Sequence, residues 1–203
     1  MRRAVLASGN PGKLRELAAL LAPLSLELVA QSTLGIAAVA ESGSTFEENA
    51  RIKALHAARH AGLPALADDS GLEVDALGGR PGVWSARFAG ATANDDDNLR
   101  RLLSELAGIP AAQRAARYRC VVVFARGPQD ETPLIARGSW EGHIALEPRG
   151  TAGFGYDPAF VPAGGERTAA QLSASEKNTV SHRAQALNSL VAMLATEGYI
   201  RAP

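Results

Sequence analysis

"LPALADDSGLEVDALGGRPGVWSARFAG", residues 63–90, is the stretch on which the fold turns. Leu63 to Ala67 has the composition of a buried strand, and it runs directly into two adjacent carboxylates, Asp68 and Asp69, then Ser70 and Gly71. Neighbouring like charges at the end of an apolar run destabilise a fold unless positive charge sits between or beside them. The pattern predicts a strand "LPALA", a second strand "GLEVDAL" directly after the pair, and then a glycine-rich connection, "GGRPGVWSARFAG". The question it poses is what the rest of the chain brings to Asp68 and Asp69.

Working outward, Arg3 to Ala7 reads as a first buried strand, and Asn10 as a helix cap with Pro11 at the first helical position of "GKLRELAALLA". "SLELVAQ" alternates as a second strand. Thr45 and Glu48 form a capping box that opens "FEENARIKALHAARHA". Asn94 begins a helix over "DDDNLRRLLSELAG", and "RYRCVVVFAR" is the most apolar strand, central by its composition. "TPLIARGSWEGHIAL" has the form of a hairpin. A long loop, "EPRGTAGFGYDPAFVPAGGE", leads to a helical region from about Ser173 to Thr196. Strands and helices interleave without repeat or linker, so the fold class is α/β with a mixed sheet, in one domain spanning residues 1–203.

Lysine plus arginine and aspartate plus glutamate balance at 21 each in 203 residues, which argues against a general nucleic-acid binder. No apolar stretch approaches the ~20 residues of a membrane span. "MRRAVLASGN" lacks the apolar core of ~7–15 residues that a secretory signal needs, so the expected location is cytoplasmic. The lone Cys120 lies in an apolar run and is expected to be a buried packing residue.

Several segments carry chemistry. "SGNPGK", residues 8–13, joins a strand to a helix start, where free amides and the positive end of the helix dipole suit phosphate. It is not a Walker A loop, because Ala7 stands where the first glycine belongs and Leu14 where the Ser or Thr belongs. On the helix after Thr45, Asn49, Lys53, His56 and His60 fall along one stripe. Asn49 and Lys53 fit a site as well as a solvated face; the two histidines fit a solvated face better. "DDDN", residues 95–98, reads as solvated capping of a helix start. "GFGYDP", residues 153–158, sets two aromatics and an aspartate in a flexible loop that could stack on a base or pack beneath itself. "SASEKNTVSHR", residues 173–183, gathers Lys177, Asn178, His182 and Arg183.

Together, "SGNPGKLRE", "TFEENARIKA", "ADDSGLEVDALGGRPGVWSARF", "GTAGFGYDP" and "EKNTVSHRAQAL" resemble the HAM1-type inosine triphosphate pyrophosphatases, in family order and over nearly the whole chain. The resemblance implies hydrolysis of ITP, dITP or XTP to the monophosphate and pyrophosphate with Mg2+. It also implies a two-lobed fold with a long mixed sheet, the nucleotide in the cleft between lobes, and a homodimer. By position, Ser8, Gly9, Asn10, Pro11, Gly12 and Lys13 would hold phosphates. Asp69 would be the catalytic carboxylate and a metal ligand, with Glu41, or else Asp68, completing the metal shell, while Ser70 would contact the nucleotide. Phe154, Gly155, Tyr156 and Asp157 would surround base and sugar, Lys177 would bind the substrate, and His182 and Arg183 would read the base. Ser8 stands where many members have Thr, which keeps the hydroxyl.

This bears on the Asp pair, because a metal and lysines would make it tolerable. Asp69 would direct water at the α-phosphorus, and Lys13, Lys53 and Lys177 would take up the charge of the leaving pyrophosphate. Arg183, always a donor, is the candidate for the carbonyl at the purine six-position, which ATP lacks. Two other functions are compatible with the segments: a Maf-type pyrophosphatase for modified pyrimidine nucleotides, and a non-catalytic nucleotide sensor.

Overall fold

The computed structural model describes residues 2–21 and 26–200. The expected end of the first helix at Ala22 and the start of the second strand at Ser25 lie outside the described residues. Strands β1 (Arg2–Leu6), β2 (Leu26–Ala30), β3 (Ala65–Val74), β4 (Ala115–Ala125), β5 (Leu134–Ile144) and β6 (Phe160–Pro162) form one sheet in the order β2-β1-β3-β4-β5-β6. β1 pairs in parallel with β2 and β3, and β5 pairs antiparallel with β6, so the sheet is mixed as the sequence predicts. Helices are α1 (Pro11–Leu21), α2 (Phe46–Ala61), α3 (Asp95–Glu105), α4 (Ala174–Val180) and α5 (His182–Thr196).

The chain divides into two compact units. The first comprises Met1–Asp69, Cys120–Gly138 and Arg183–Pro203. Its core joins Leu6 and Leu66 of the sheet to Leu17 and Leu21 of α1, Val122 and Phe124 of β4, and Leu187, Leu190 and Leu194 of α5. α1 starts where Asn10 Oδ1 accepts from the amides of Gly12 and Lys13, at 2.8 and 3.1 Å. α2 starts at the predicted Thr45–Glu48 capping box and stops at Gly62, whose φ of 65° favours glycine. Cys120 lies in this core, and burial pushes its thiol up to about 12, so it is a packing residue.

The second unit comprises Ser70–Arg119 and Ser139–His182. Leu72 and Val74 of β3, Leu99 and Leu102 of α3, Tyr118, Trp140, Ile144 and Phe160 form its core. Gly142 admits no side chain, because a Cβ there would lie 2.2 Å from the carbonyl oxygen of Val161 on β6.

Three sequence expectations change. The Asp pair does not end a strand: β3 runs unbroken from Ala65 to Val74 with both aspartates buried inside it, because cations compensate them. The segment read as a hairpin is one long strand, β5, with Ala136, Trp140 and Ile144 buried along it, and its antiparallel partner β6 comes from the later loop. The C-terminal helical region is two helices, since extended backbone at Ser181 (φ −66°, ψ 158°) breaks it; the boundary between the units falls one residue into the second helix, after His182.

Candidate functional site

Successive side chains of a strand point to opposite faces, and β3 uses this to give its two aspartates different company. Asp68 meets Lys13 of α1, with Nζ 3.1 Å from Oδ2, and Arg183 of α5, whose Nε and a terminal nitrogen lie 3.4 and 3.3 Å from the same oxygen. Arg183 also pairs with Glu16 of α1. Asp69 meets Lys53 of α2 instead, with Nζ 3.0 Å from Oδ1. The same ammonium lies 2.8 Å from Glu41 Oε1, so Lys53 joins the two carboxylates that the resemblance assigns to a metal.

The electrostatics follow from the neighbours. Burial opposes ionisation of Asp68, yet Lys13, Arg183 and Lys53 outweigh it and hold the carboxyl well below its usual range. Burial dominates at Asp69: one lysine and the more distant Lys13 do not fully offset it, Glu41 adds to it, and the carboxyl is raised. Burial also works against the charge on Lys53, but Asp69, Asp68 and Glu41 hold the ammonium more firmly protonated than usual. Asp69 Oδ2 is buried without a hydrogen-bond partner among the described residues.

The phosphate-loop candidates stand at the start of α1 in the first unit. Pro11 opens the helix, Asn10 caps it, and Ser8 Oγ accepts from the Asn10 amide at 3.3 Å. The cap engages the amides of Gly12 and Lys13, so the helix start offers fewer open amides than the sequence implies. Asn49 is fully buried; its Oδ1 accepts from the Gly43 amide at 2.8 Å and its Nδ2 has no hydrogen-bond partner among the described residues. It therefore brackets the loop before α2. His56 and His60 bond to the carbonyls of Ala37 and His56, beside each other on the outer side of α2.

In the second unit the loop 153–157 is fixed at each of its polar points. Asp157, 2 % exposed, accepts from Lys177 Nζ at 2.5 Å and the Phe154 amide at 3.0 Å through Oδ2, and from Tyr118 OH at 3.2 Å through Oδ1. The Gly155 amide donates to Asp95 at 2.8 Å, and Tyr156 OH donates to the Ser85 carbonyl at 2.7 Å. Gly153 has φ 77°, and a Cβ there would lie 2.0 Å from Asp157 Oδ2. Lys177 Nζ lies 4.9 Å from the Phe154 ring centre. The His182 ring stacks on Tyr118 at 4.7 Å between centres, with Trp140 at 6.5 Å. Ser70 is half-buried at the start of this unit's share of β3.

The structure thus gathers Lys13, Glu41, Lys53, Asp68 and Asp69 in one unit, and Phe154, Asp157, Lys177 and His182 in the other. Arg183 is 1 % exposed and pairs with Asp68 and Glu16 in the first unit. His182 and Arg183 are neighbours on α5, yet they belong to different units. "DDDN" is corrected in part. Asn94 starts the helix as expected and forms a capping box with Asp97, but Asp95 holds the 153–157 loop. Glu16, Ser85, Asp95 and Tyr118 were not singled out from the sequence. One signal was present there: the chain has only three lysines, Lys13, Lys53 and Lys177, and each lies on a buried aspartate.

Among the described residues no helix is long and apolar enough to cross a membrane, and no three His, Cys, Asp or Glu side chains gather to hold a metal by themselves. Compared with known families, residues 4–193 match the Ham1 family. The chain is 56% identical over 193 residues to a dITP/XTP pyrophosphatase of Methylococcus capsulatus, covering 95% of this chain and 96% of that one. It is 54% identical over 192 residues to a dITP/XTP pyrophosphatase of Escherichia coli strain K12, covering 94% and 97%. Among solved structures, a HAM1 protein from Coxiella burnetii superposes with a TM-score of 0.89 at 47% identity, covering 97% of this chain and all of that one.

Proposed function

The chain belongs to the Ham1 family, and from that premise we propose that it hydrolyses non-canonical purine nucleoside triphosphates (ITP, dITP and XTP) to the monophosphate and pyrophosphate. The observation that carries the proposal is Asp69: a buried carboxylate with one oxygen on Lys53, the other without a hydrogen-bond partner, and Glu41 on the same lysine. A site that only bound an anion would gain nothing from acidic groups facing it, whereas a metal-assisted hydrolase needs them.

The residues fit Mg2+. Magnesium takes one or two protein carboxylates and fills its remaining positions with water and substrate oxygens, and Asp69 and Glu41 supply that number, with the orphaned Oδ2 as a ready ligand. When bound, the ion offsets part of the triphosphate charge and polarises the phosphorus centre. Asp69 orients the water and accepts its proton as its oxygen attacks the α-phosphorus. The bond to the bridging oxygen breaks and pyrophosphate leaves with that electron pair. Lys13 and Lys53 carry positive charge for the leaving group. Asp68 pairs with Lys13 and Arg183 and holds both in place.

A donor placed for the six-position carbonyl of ITP or XTP meets a second donor in ATP, which leaves buried polar groups unpaired. With Arg183 held by Asp68 and Glu16, this role passes to His182, the other residue assigned to the base. The proposal includes a cytoplasmic homodimer, as the resemblance implies; sedimentation at micromolar concentration reads the assembly directly.

Incubating purified protein with Mg2+ and ITP, in parallel with ATP and GTP, tests the whole. IMP plus pyrophosphate from ITP, with ATP and GTP largely spared, is the expected result. IDP plus orthophosphate would place attack at the γ-phosphorus and overturn the mechanism. Binding of ITP without turnover would leave the nucleotide-sensor reading in its place.

A further inference from the structure

Tyr118 lies outside the phosphate and base segments, on β4, and is 7 % exposed in the apolar core of the second unit. Its ring packs edge-on against Phe160, with centres 4.7 Å apart. Packing alone would be served by phenylalanine, since a hydroxyl in a core destabilises unless it is hydrogen-bonded. Here the hydroxyl donates to Asp157 Oδ1. Asp157 Oδ2 takes the Lys177 ammonium and the Phe154 amide, so the Tyr118 bond fixes the rotation of a carboxylate that locates both. The same ring carries His182, nearly parallel at 8° with centres 4.7 Å apart.

We propose that Tyr118 is a positioning residue of the active site. Its hydroxyl sets Lys177 through Asp157, and its ring sets His182 by stacking. One side chain thereby holds a phosphate-binding cation by hydrogen bonding and a base-reading imidazole by contact, and the two actions separate by mutation. The inference rests on the pyrophosphatase reading for what Lys177 and His182 do, but not for where they are held.

Tyr118→Phe keeps the ring and removes only the hydroxyl, so the protein should fold. With ITP, KM is expected to rise about tenfold, the loss of one hydrogen bond to a charged group, while kcat stays within about twofold and the ITP-to-ATP preference is unchanged. Tyr118→Leu removes the stack too, and should in addition lower the ITP-to-ATP preference. In a Lys177→Met background, Tyr118→Phe should add less than about twofold, because the bond acts through Lys177. An equal effect in both backgrounds, or a fall in melting temperature with KM unchanged, would reduce Tyr118 to core packing.

A second measurement needs no turnover. With three lysines in the chain, the acylation rate of Lys177 can be followed by peptide mass spectrometry. Tyr118→Phe is expected to speed it several-fold relative to Lys13 and Lys53; an unchanged rate overturns the proposal. Failure of the wild-type protein to hydrolyse ITP would sink the functional reading while leaving this result to decide the placement of Lys177.

Discussion

Asp68 and Asp69 are adjacent, chemically identical and both buried, yet the two faces of β3 give them opposite characters. On the α1 and α5 face, Asp68 is saturated with cations: Lys13, Arg183 and the field of Lys53. On the α2 face, Asp69 shares a single lysine with Glu41 and keeps one oxygen without a hydrogen-bond partner. The difference teaches that a carboxylate pair in a strand is two sites, one that closes the charge balance of the fold and one left under-compensated for chemistry. An under-compensated buried carboxylate is costly to the fold, and such a cost is characteristic of functional positions.

The largest expected effect falls on activity. Asp69→Asn should lose about 10²–10⁴ in rate, as expected for a missing general base or metal carboxylate. Its stability should hardly change, because Lys53 keeps Glu41 and the unfavourable burial of a charge is relieved. Steady-state rates on ITP and a thermal melt of the same preparation check both halves. A variant that kept half its activity would erase the contrast between the two faces.

Asp68→Asn should show the reverse emphasis. It leaves Lys13 and the buried Arg183 short of a counter-charge, and breaking a buried pair from one side costs about 3–5 kcal/mol. Chemical denaturation would measure it. The pH dependence sharpens the point. Asp68 has a folded-state pKa below its ordinary 3.8, so the unfolded chain binds more protons between the two values. The stabilisation is complete above the ordinary value and is lost as pH falls toward the folded one. In chelator-treated protein, the stability gap between wild type and Asp68→Asn should therefore narrow as pH drops below 3.8. A gap that widened would mean that Asp68 is not the ion-paired member.

How far the sequence foretold this depends on the kind of signal. The capping box at Thr45, the helix start at Asn94, the cap at Asn10 and the apolar β4 are local patterns, and the structure repeats them. The expected break at Asp68 failed because strand propensity is local, whereas the cations that permit the strand arrive from residues 13, 53 and 183. The hairpin read in residues 132–146 is one strand, along which Ala136, Trp140 and Ile144 are buried. Arg183 was assigned to the base through the resemblance and as a permanent donor, whereas its pairing with Asp68 and Glu16 depends on residues more than a hundred positions away. Tyr118 left no mark in the sequence, since a tyrosine in an apolar strand looks like packing until the partner of its hydroxyl is known.

The smallest effect extends the same comparison to α3, where Asp95 and Asp97 stand in one acidic run. Asp97 closes the capping box with Asn94 and pairs with Arg100, a local role at a solvent-exposed helix start. Asp95 reaches instead to the Gly155 amide, 60 residues along the chain, and helps fix the loop that carries Phe154 and Asp157. Asp97→Ala should lower stability slightly, as it removes one side of the capping box at an exposed helix start, with KM for ITP unchanged. Asp95→Ala should cost a similar amount, as a single charge-assisted hydrogen bond does, but should also raise KM a few-fold as the loop loosens. Amide hydrogen exchange at Gly155 gives the finer reading: faster in Asp95→Ala, unchanged in Asp97→Ala. Equal exchange in the two variants would mean that neighbouring aspartates on a helix start do not divide their roles as the pair on β3 does.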